Sequence, residues 1–171
     1  MNTLILSSSL SPNSRSFLLC QEVEKQLTDK GENCTLIDAR KIPMKAYHLR
    51  ITKEMEFLTE LINKTDNIII GMGVHCYSVN DGLKILLDNC FSGATAKFFG
   101  ILCAAGGERS YLSTMHLTQI CMNEWRMIQL PRIVYATGKD FTNDDITSEE
   151  VIKRIQVFSD EFNTIGNKLI T

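Results

Sequence analysis

The sequence predicts a doubly wound α/β fold, an open five-stranded parallel sheet with helices on both faces. Three observations carry this. Five short apolar runs alternate with five segments whose apolar residues recur at helical spacing, across nearly all of the 171 residues. The third run, residues 67–72, holds three consecutive isoleucines and then, past a single glycine, Met72, the pattern of a strand buried on both faces. No repeat, low-complexity stretch or proline-rich linker interrupts the alternation, and there are only three prolines, so one domain over residues 1–171 is expected.

Residues 3–6 form the first strand. Leu19, Cys20, Val23 and Leu27 then mark a helix that Lys30-Gly31 closes with a glycine cap. Residues 34–38 make the second strand, followed by a loop around Pro43 and a helix with Met55, Leu58, Leu61, Ile62 and Thr65 on one face. The third strand leads to a helical stripe of Leu83, Leu86, Leu87 and Cys90, and the fourth strand, 98–105, to a helix marked by Met115, Thr118, Met122 and Trp125. After the fifth strand, 132–137, the last helix opens at Thr147, with Glu150 completing a capping box. Its stripe of Val151, Ile155, Phe158, Phe162, Ile165 and Leu169 suits docking on the sheet or a seam between two copies of the chain.

Composition narrows the function. A chain that is 44% hydrophobic can bury a sizeable core, and a net charge of -2 supplies no basic field for nucleic acid or an anionic membrane. The apolar runs are too short to span a bilayer, and the first residues lack the pattern of a signal peptide, so a cytoplasmic location is expected. The six cysteines form no C-x-x-C pair and read as reduced thiols. His48 and His116 have no partners at ligand spacing, so no metal site is expected.

In a sheet of this class a ligand sits beyond the carboxyl ends of the strands, where the strand order reverses. Three loops leave such ends: residues 7–16, 71–81 and 104–111. The first, Ser7-Ser8-Ser9-Leu10-Ser11-Pro12-Asn13-Ser14-Arg15-Ser16, brings hydroxyls, amides and a guanidinium to a helix N-terminus, where unpaired N–H groups and the helix dipole favour an anion. Serine-rich and glycine-poor, it suits a terminal monophosphate and has neither the G-x-G-x-x-G turn nor the Walker lysine. Ser14 reads equally as a plain N-cap. The second loop combines glycines with His75, Cys76 and Tyr77, and the third offers Gly106-Gly107, against which a flat ring can lie. One loop for a phosphate and two for a planar heterocycle describe a flavin mononucleotide (FMN) site.

Several residues keep two readings. His75 and Cys76 are weak catalytic candidates, able to supply a proton or a soft contact, or else are solvated loop residues. Glu108 and Arg109 form an exposed charge pair or a rim for an anionic substrate. Asp38 is a strand-end cap or a ribose-binding acid, the former fitting better without a glycine fingerprint.

Four segments together resemble the NADPH-dependent FMN reductases of the flavodoxin-like fold: Ile5-Leu6-Ser7-Ser8-Ser9-Leu10-Ser11-Pro12-Asn13-Ser14-Arg15-Ser16, Leu36-Ile37-Asp38-Ala39-Arg40-Lys41-Ile42-Pro43, the stretch 71–88 with Gly82-Leu83-Lys84 and Asp88, and Ala105-Gly106-Gly107. The fold expected is then flavodoxin-like with strand order 2-1-3-4-5. The resemblance implies Ser9, Ser14, Arg15 and Ser16 at the FMN phosphate. It implies Val74, His75, Cys76, Tyr77, Ser78 and Val79, with Gly106 and Gly107, around the isoalloxazine. It further implies NADPH or NADH as reductant, a flavin, quinone or azo-type acceptor, and a homodimer whose partner chain covers the ring. The family's proline and aromatic residue in the third segment are replaced here by Gly73 and His75, from which a looser loop and weaker FMN binding are expected. A flavodoxin-like electron carrier and a flavin-less interaction protein would share the fold. The small net charge disfavours the carrier, which docks through a strongly acidic face.

Overall fold

Residues 1–170 are described by a computed structural model. In chain order its elements are β1 (Asn2–Ser7), α1 (Arg15–Asp29), β2 (Asn33–Asp38), α2 (Lys53–Lys64), β3 (Asn67–His75), β4 (Ser78–Val79), α3 (Asp81–Cys90), β5 (Phe98–Ala105), α4 (Thr114–Trp125), β6 (Ile128–Thr137) and α5 (Glu149–Leu169). The parallel strands lie in the order β2-β1-β3-β5-β6, and the two-residue β4 folds back antiparallel on the end of β3. With that short strand set aside, the order is the 2-1-3-4-5 expected from the sequence.

Alternation along the strands explains the consecutive apolar runs. Leu4, Leu6, Ile68, Ile70 and Ile101 face the layer of α2, α3 and α4, while Ile5, Ile69, Leu102 and Val134 face α1 and α5. On the second face Phe158 and Phe162 stack at 5.9 Å and press on the sheet, where a Cβ on Gly100 would stand 2.5 Å from the Phe158 ring. Helix α5 therefore docks on the sheet through Val151, Ile155, Phe158 and Phe162, all buried, and its stripe runs out at the exposed Leu169. Each fully buried side chain of this size stabilises by roughly 1.5–3 kcal/mol.

Caps define the helix ends. Ser14 caps α1, which closes on Gly31 at φ 84°, and Thr52 caps α2. Asp38 is the cap of the short 3-10 turn Ala39–Lys41, accepting from Arg40 N at 3.0 Å and gripping the Arg40 guanidinium. The cap of α5 is Ser148, one residue beyond Thr147, because the Thr147 and Ser148 amides are both taken by the Asp140 carbonyl and the Ser148 hydroxyl is left to accept from Val151.

Three further boundaries differ from the sequence reading. The buried face of α4 is Thr114, Leu117, Cys121 and Trp125, and Met115 and Met122 are exposed. Both stripes have helical spacing, and the one with smaller side chains permits the closer approach to the sheet. Strand β6 begins at Ile128, not at Arg132, because a bulge opposite Gly100 accommodates Pro131 on an edge strand. Strand β3 continues past Met72 to His75, since Gly73 pairs with Ala104 of β5 and Val74 and His75 pair with β4.

The parallel register aligns the strand ends. Ser7 lies beside both Asp38 and Gly71, Gly73 beside Ala104, and Ala105 beside Thr137. The loops after all five parallel strands are thereby delivered to one rim.

Candidate functional site

At the point where the order reverses, between β1 and β3, the loop before α1 forms one wall of a cavity of about 360 Å³. Ser9, Ser14, Arg15 and Ser16 line it, joined by Ser11 and Asn13. Opposite stand Gly73, Val74 and His75 from β3, with Ala104, Ala105 and Gly106 from the end of β5. Ser14 Oγ accepts from Phe17 N at 3.2 Å and lies 3.2 Å from Ser16 Oγ, so the cap residue is also a wall of the cavity. The exposed Arg15 reaches across to the loop after β6, its guanidinium 5.8 Å from the Phe141 ring centre. A Cβ on Gly138 would come within 3.1 Å of Arg15 Nη1, so the bare glycine leaves room for the guanidinium.

A second cavity, of about 560 Å³, meets the first at Gly106 and is lined by Tyr77, Gly107, Arg109, Thr137 and Lys139 among others. Its backbone is held from below. Tyr135 donates its hydroxyl to Gly107 O at 2.6 Å, and Asp140 accepts from Thr137 N at 2.7 Å and from Thr137 Oγ1 at 3.0 Å. Burial tends to raise the Asp140 carboxyl, but the Thr137 and Ser148 hydrogen bonds together bring it below the usual carboxylate range. Glu108 pairs with Lys139 at the rim, in place of the pairing with Arg109 that adjacency suggested. The Lys139 hydrogen bond holds the exposed Glu108 carboxyl below its ordinary range.

Glycine placement shows what the cavities accommodate. A side chain at Gly71 would stand 2.2 Å from Cys20 Sγ, and one at Gly82 3.0 Å from Ser8 O, so both are required by packing. At Gly106 and Gly107 an added Cβ would meet nothing within 4 Å, and at Gly73 only Ala104 O at 4.0 Å. None of these three has a left-handed backbone. Neither packing nor conformation explains them, and all three border the joined cavities. The chain keeps open a strip of bare backbone there, leading from the serine loop to Tyr77, which fits a ligand with a phosphate at one end and a flat ring at the other.

The segment expected to be a flexible loop is a hairpin. Val74 pairs with Val79 and His75 with Ser78, around a two-residue turn in which Cys76 and Tyr77 have φ of 48° and 59°. His75 Nδ1 lies 3.5 Å from Asp81 Oδ1 and Ser78 Oγ 3.0 Å from His116 Nδ1, so both strands of the hairpin are tied to helices. Of the residues singled out in the sequence, Ser9, Ser14, Arg15, Ser16, Val74, His75 and Gly106 meet in the first cavity, and Tyr77, Gly106 and Gly107 in the second. Cys76 is exposed at the turn, Ser78 faces His116 and Val79 is buried; none of the three borders either cavity. Thr137, Lys139 and Asn143 were not foreseen. The carboxyl end of the last strand is the signal that would have found them, though their residue types are ordinary.

Among the described residues no group of His, Cys, Asp and Glu could hold a metal ion, and no helix is long and apolar enough to cross a membrane. An apolar cleft of about 590 Å³ between α1, β2 and α2 and a polar one of about 1060 Å³ bordered by α3 and α4 share no lining residue with the two joined cavities.

Comparison with known proteins adds a family. A model of the NADPH-dependent FMN reductases matches residues 1–142. No curated protein matches the sequence. Among solved structures, an NADH:FMN oxidoreductase in its apo form superposes with a TM-score of 0.81 at 14% identity, over 96% of this chain and 89% of that one. An oxidoreductase from Corynebacterium diphtheriae gives 0.78 at 22% identity over 98% of each chain. A flavodoxin from the domain Archaea gives 0.69 at 11% identity over the whole of both. At these identities the likeness shows the fold, which is flavodoxin-like.

Proposed function

The chain belongs to the NADPH-dependent FMN reductase family, and from that premise we propose that it is an NAD(P)H-dependent oxidoreductase that binds FMN across the two joined cavities. The observation that carries the reading is the strip of Gly73, Gly106 and Gly107, whose missing side chains serve no packing or backbone need. Bound FMN would supply the hydride and electron transfer between NADPH or NADH and a flavin, quinone or azo-type acceptor.

The chain's own residues bind and orient. Ser9, Ser14 and Ser16 offer hydroxyls, and the N-terminus of α1 offers amides, to the phosphate. Arg15 supplies a guanidinium, already braced against Phe141, that neutralises it from the other side. Gly106 and Gly107, fixed through Tyr135, form the floor for the ring, with Val74, His75 and Tyr77 at its edge. No protein acid or base is required. His75, beside Asp81, is placed to orient and not to carry the reaction. The acceptor enters through the second cavity. Exposed Tyr77, Tyr111, Leu112 and Met115 lie on the hairpin and the α4 side and support a homodimer in which a second copy covers the ring. A cytoplasmic location suits the reduced thiols and the nicotinamide reductant.

The test is titration of FMN and riboflavin against the native chain and Arg15→Ala. FMN should lose about 1.5–3 kcal/mol, the range for a hydrogen bond to a charged group, and riboflavin almost nothing. Equal losses would place Arg15 away from the phosphate. Oxidation of NADPH or NADH by the FMN-loaded protein separates the reductase from an electron carrier, which would not catalyse it.

A further inference from the structure

We propose that Asn80 is a positioning residue that fixes the distance between the phosphate loop and the ring strand. The inference rests on the FMN reading above and concerns a residue that borders neither cavity. Asn80 is buried to 1% exposure at the N-cap of α3, a position from which an asparagine side chain ordinarily accepts from the first turn of its helix. It makes no such bond. Its amide is turned inward instead. Oδ1 accepts from Gly73 N at 3.2 Å and from Ser8 Oγ at 3.0 Å, and Nδ2 donates to Ser8 O at 2.8 Å. The amide orientation is determined by its partners, since Gly73 N can only donate and Ser8 O can only accept.

These bonds join the two halves of the site. Ser8 precedes Ser9, which lines the phosphate end, and Gly73 is on the strip that leads to the ring. The Ser8 hydroxyl proton is shared between Asn80 Oδ1 and Gly71 O at 2.8 Å, which closes the link back onto β3. Gly82 lets the loop settle on the start of α3, because a Cβ there would meet Ser8 O and Leu10 within 3.1 Å. A helix that gives up its cap bond for three bonds to two other segments gains fixed geometry between those segments. Gly73 is thereby held by its N–H, so the looseness expected of a glycine at this position is removed from the folded protein.

Only a ligand gripped at both ends draws on that spacing. FMN engages the phosphate loop and the ring floor together, so prior fixing of their separation lowers the ordering cost of binding. Riboflavin engages the ring floor alone. Asn80→Ala should therefore weaken FMN about tenfold, the effect of losing bonds to a buried amide, and riboflavin less than about twofold. Ser8→Ala removes one of the three bonds with little change of volume, and should weaken FMN about threefold with riboflavin again unaffected. The ligands are FMN and riboflavin titrated into each full-length variant, with thermal melting as a check of folding. If Asn80→Ala does not fold, the Ser8→Ala ratio decides alone. Equal losses for the two ligands would make Asn80 a merely structural residue, and an unchanged FMN affinity in either folded variant would likewise overturn the proposal. Failure of the native chain to bind FMN would overturn the functional reading beneath it as well. FMN binding by the native chain with equal losses in the variants would leave that reading standing.

Discussion

The hydroxyl of Tyr135 donates to the carbonyl of Gly107 at 2.6 Å, and through that bond a side chain at the end of β6 sets the height of the backbone on which a flat ring can lie. Tyr135 is 8% exposed and its ring meets Tyr111 edge-on at 5.2 Å, so the phenol has little freedom to reorient. Burial pushes the phenol above its usual range, which keeps it protonated and donating at any working pH. Tyr135→Phe keeps the packing and removes the donor. Stability should fall by only about 1 kcal/mol. FMN and riboflavin should weaken alike, about fivefold, because the bond acts on the ring floor and not on the phosphate. Fluorescence titration of both ligands checks this, and a loss confined to FMN would place the ring elsewhere.

The glycines separate packing from binding. Gly71→Ala forces a methyl against Cys20 Sγ, 2.2 Å away in a buried site, and should destabilise the fold by about 1–3 kcal/mol. Gly106→Ala meets nothing within 4 Å and should leave the melting temperature within the range of a neutral surface change, about 0.5 kcal/mol. It should nevertheless weaken FMN, since the methyl would project into the space reserved for it. A Gly106→Ala protein that binds FMN as well as the native chain would remove the main support for the proposed site.

How much of this the sequence revealed depended on the range of the interaction. The strand order followed from the family resemblance, and the N-cap at Ser14 and the gathering of the serine loop with Gly106 from local periodicity and from the rule that sites form beyond strand ends. Misreadings came where two local patterns fit equally well. The methionine stripe of α4 has the same spacing as the buried Thr114-Leu117-Cys121-Trp125 face, and only the distance to the sheet decides between them. Thr147 and Ser148 are both good caps, and the Asp140 carbonyl, seven residues away, selects the second. Residues 73–75 look like loop because glycine and histidine are poor strand formers, the pairing of Gly73 with Ala104 is not local, and the two-residue β4 is too short to read as a strand. Asn80 and Tyr135 act through bonds to segments 72 and 28 residues away, which no local pattern encodes.

The thiols should divide by burial. Cys20, Cys90, Cys103 and Cys121 are buried, and burial raises all four, Cys103 and Cys121 to about 12. Burial takes the half-buried Cys34 up to about 11. Since the thiolate is the reacting species, these five should be inert at neutral pH, whereas Cys76 is exposed at the hairpin turn. Brief iodoacetamide treatment of the native protein should add one group, at Cys76 by peptide mass mapping, and denaturant should release the rest. Two or more rapid adducts on the native chain would show that the fold opens locally.

The turn that exposes Cys76 also carries backbone strain, and the strain has a direction that can be measured. A left-handed conformation suits Asn or Gly and costs other residues roughly 1–2 kcal/mol, yet Tyr77 holds φ 59° while its ring, 64% exposed, borders the second cavity facing Gly106 and Gly107. A residue at a strained position with little burial to compensate points to a role for what its side chain reaches. Tyr77→Gly should therefore raise stability by about 0.5–1 kcal/mol, the relief of strain less the added freedom of the unfolded chain, and at the same time weaken both FMN and riboflavin. Tyr77→Phe should keep the strain and the binding. Ala96, also left-handed at φ 60° but at the opposite end of β5, provides the control, since Ala96→Gly should stabilise without changing flavin affinity. Stability and affinity moving in opposite directions at position 77 alone would identify functional strain. Their moving together, or an unchanged affinity in Tyr77→Gly, would show that the ring is not a wall of the site.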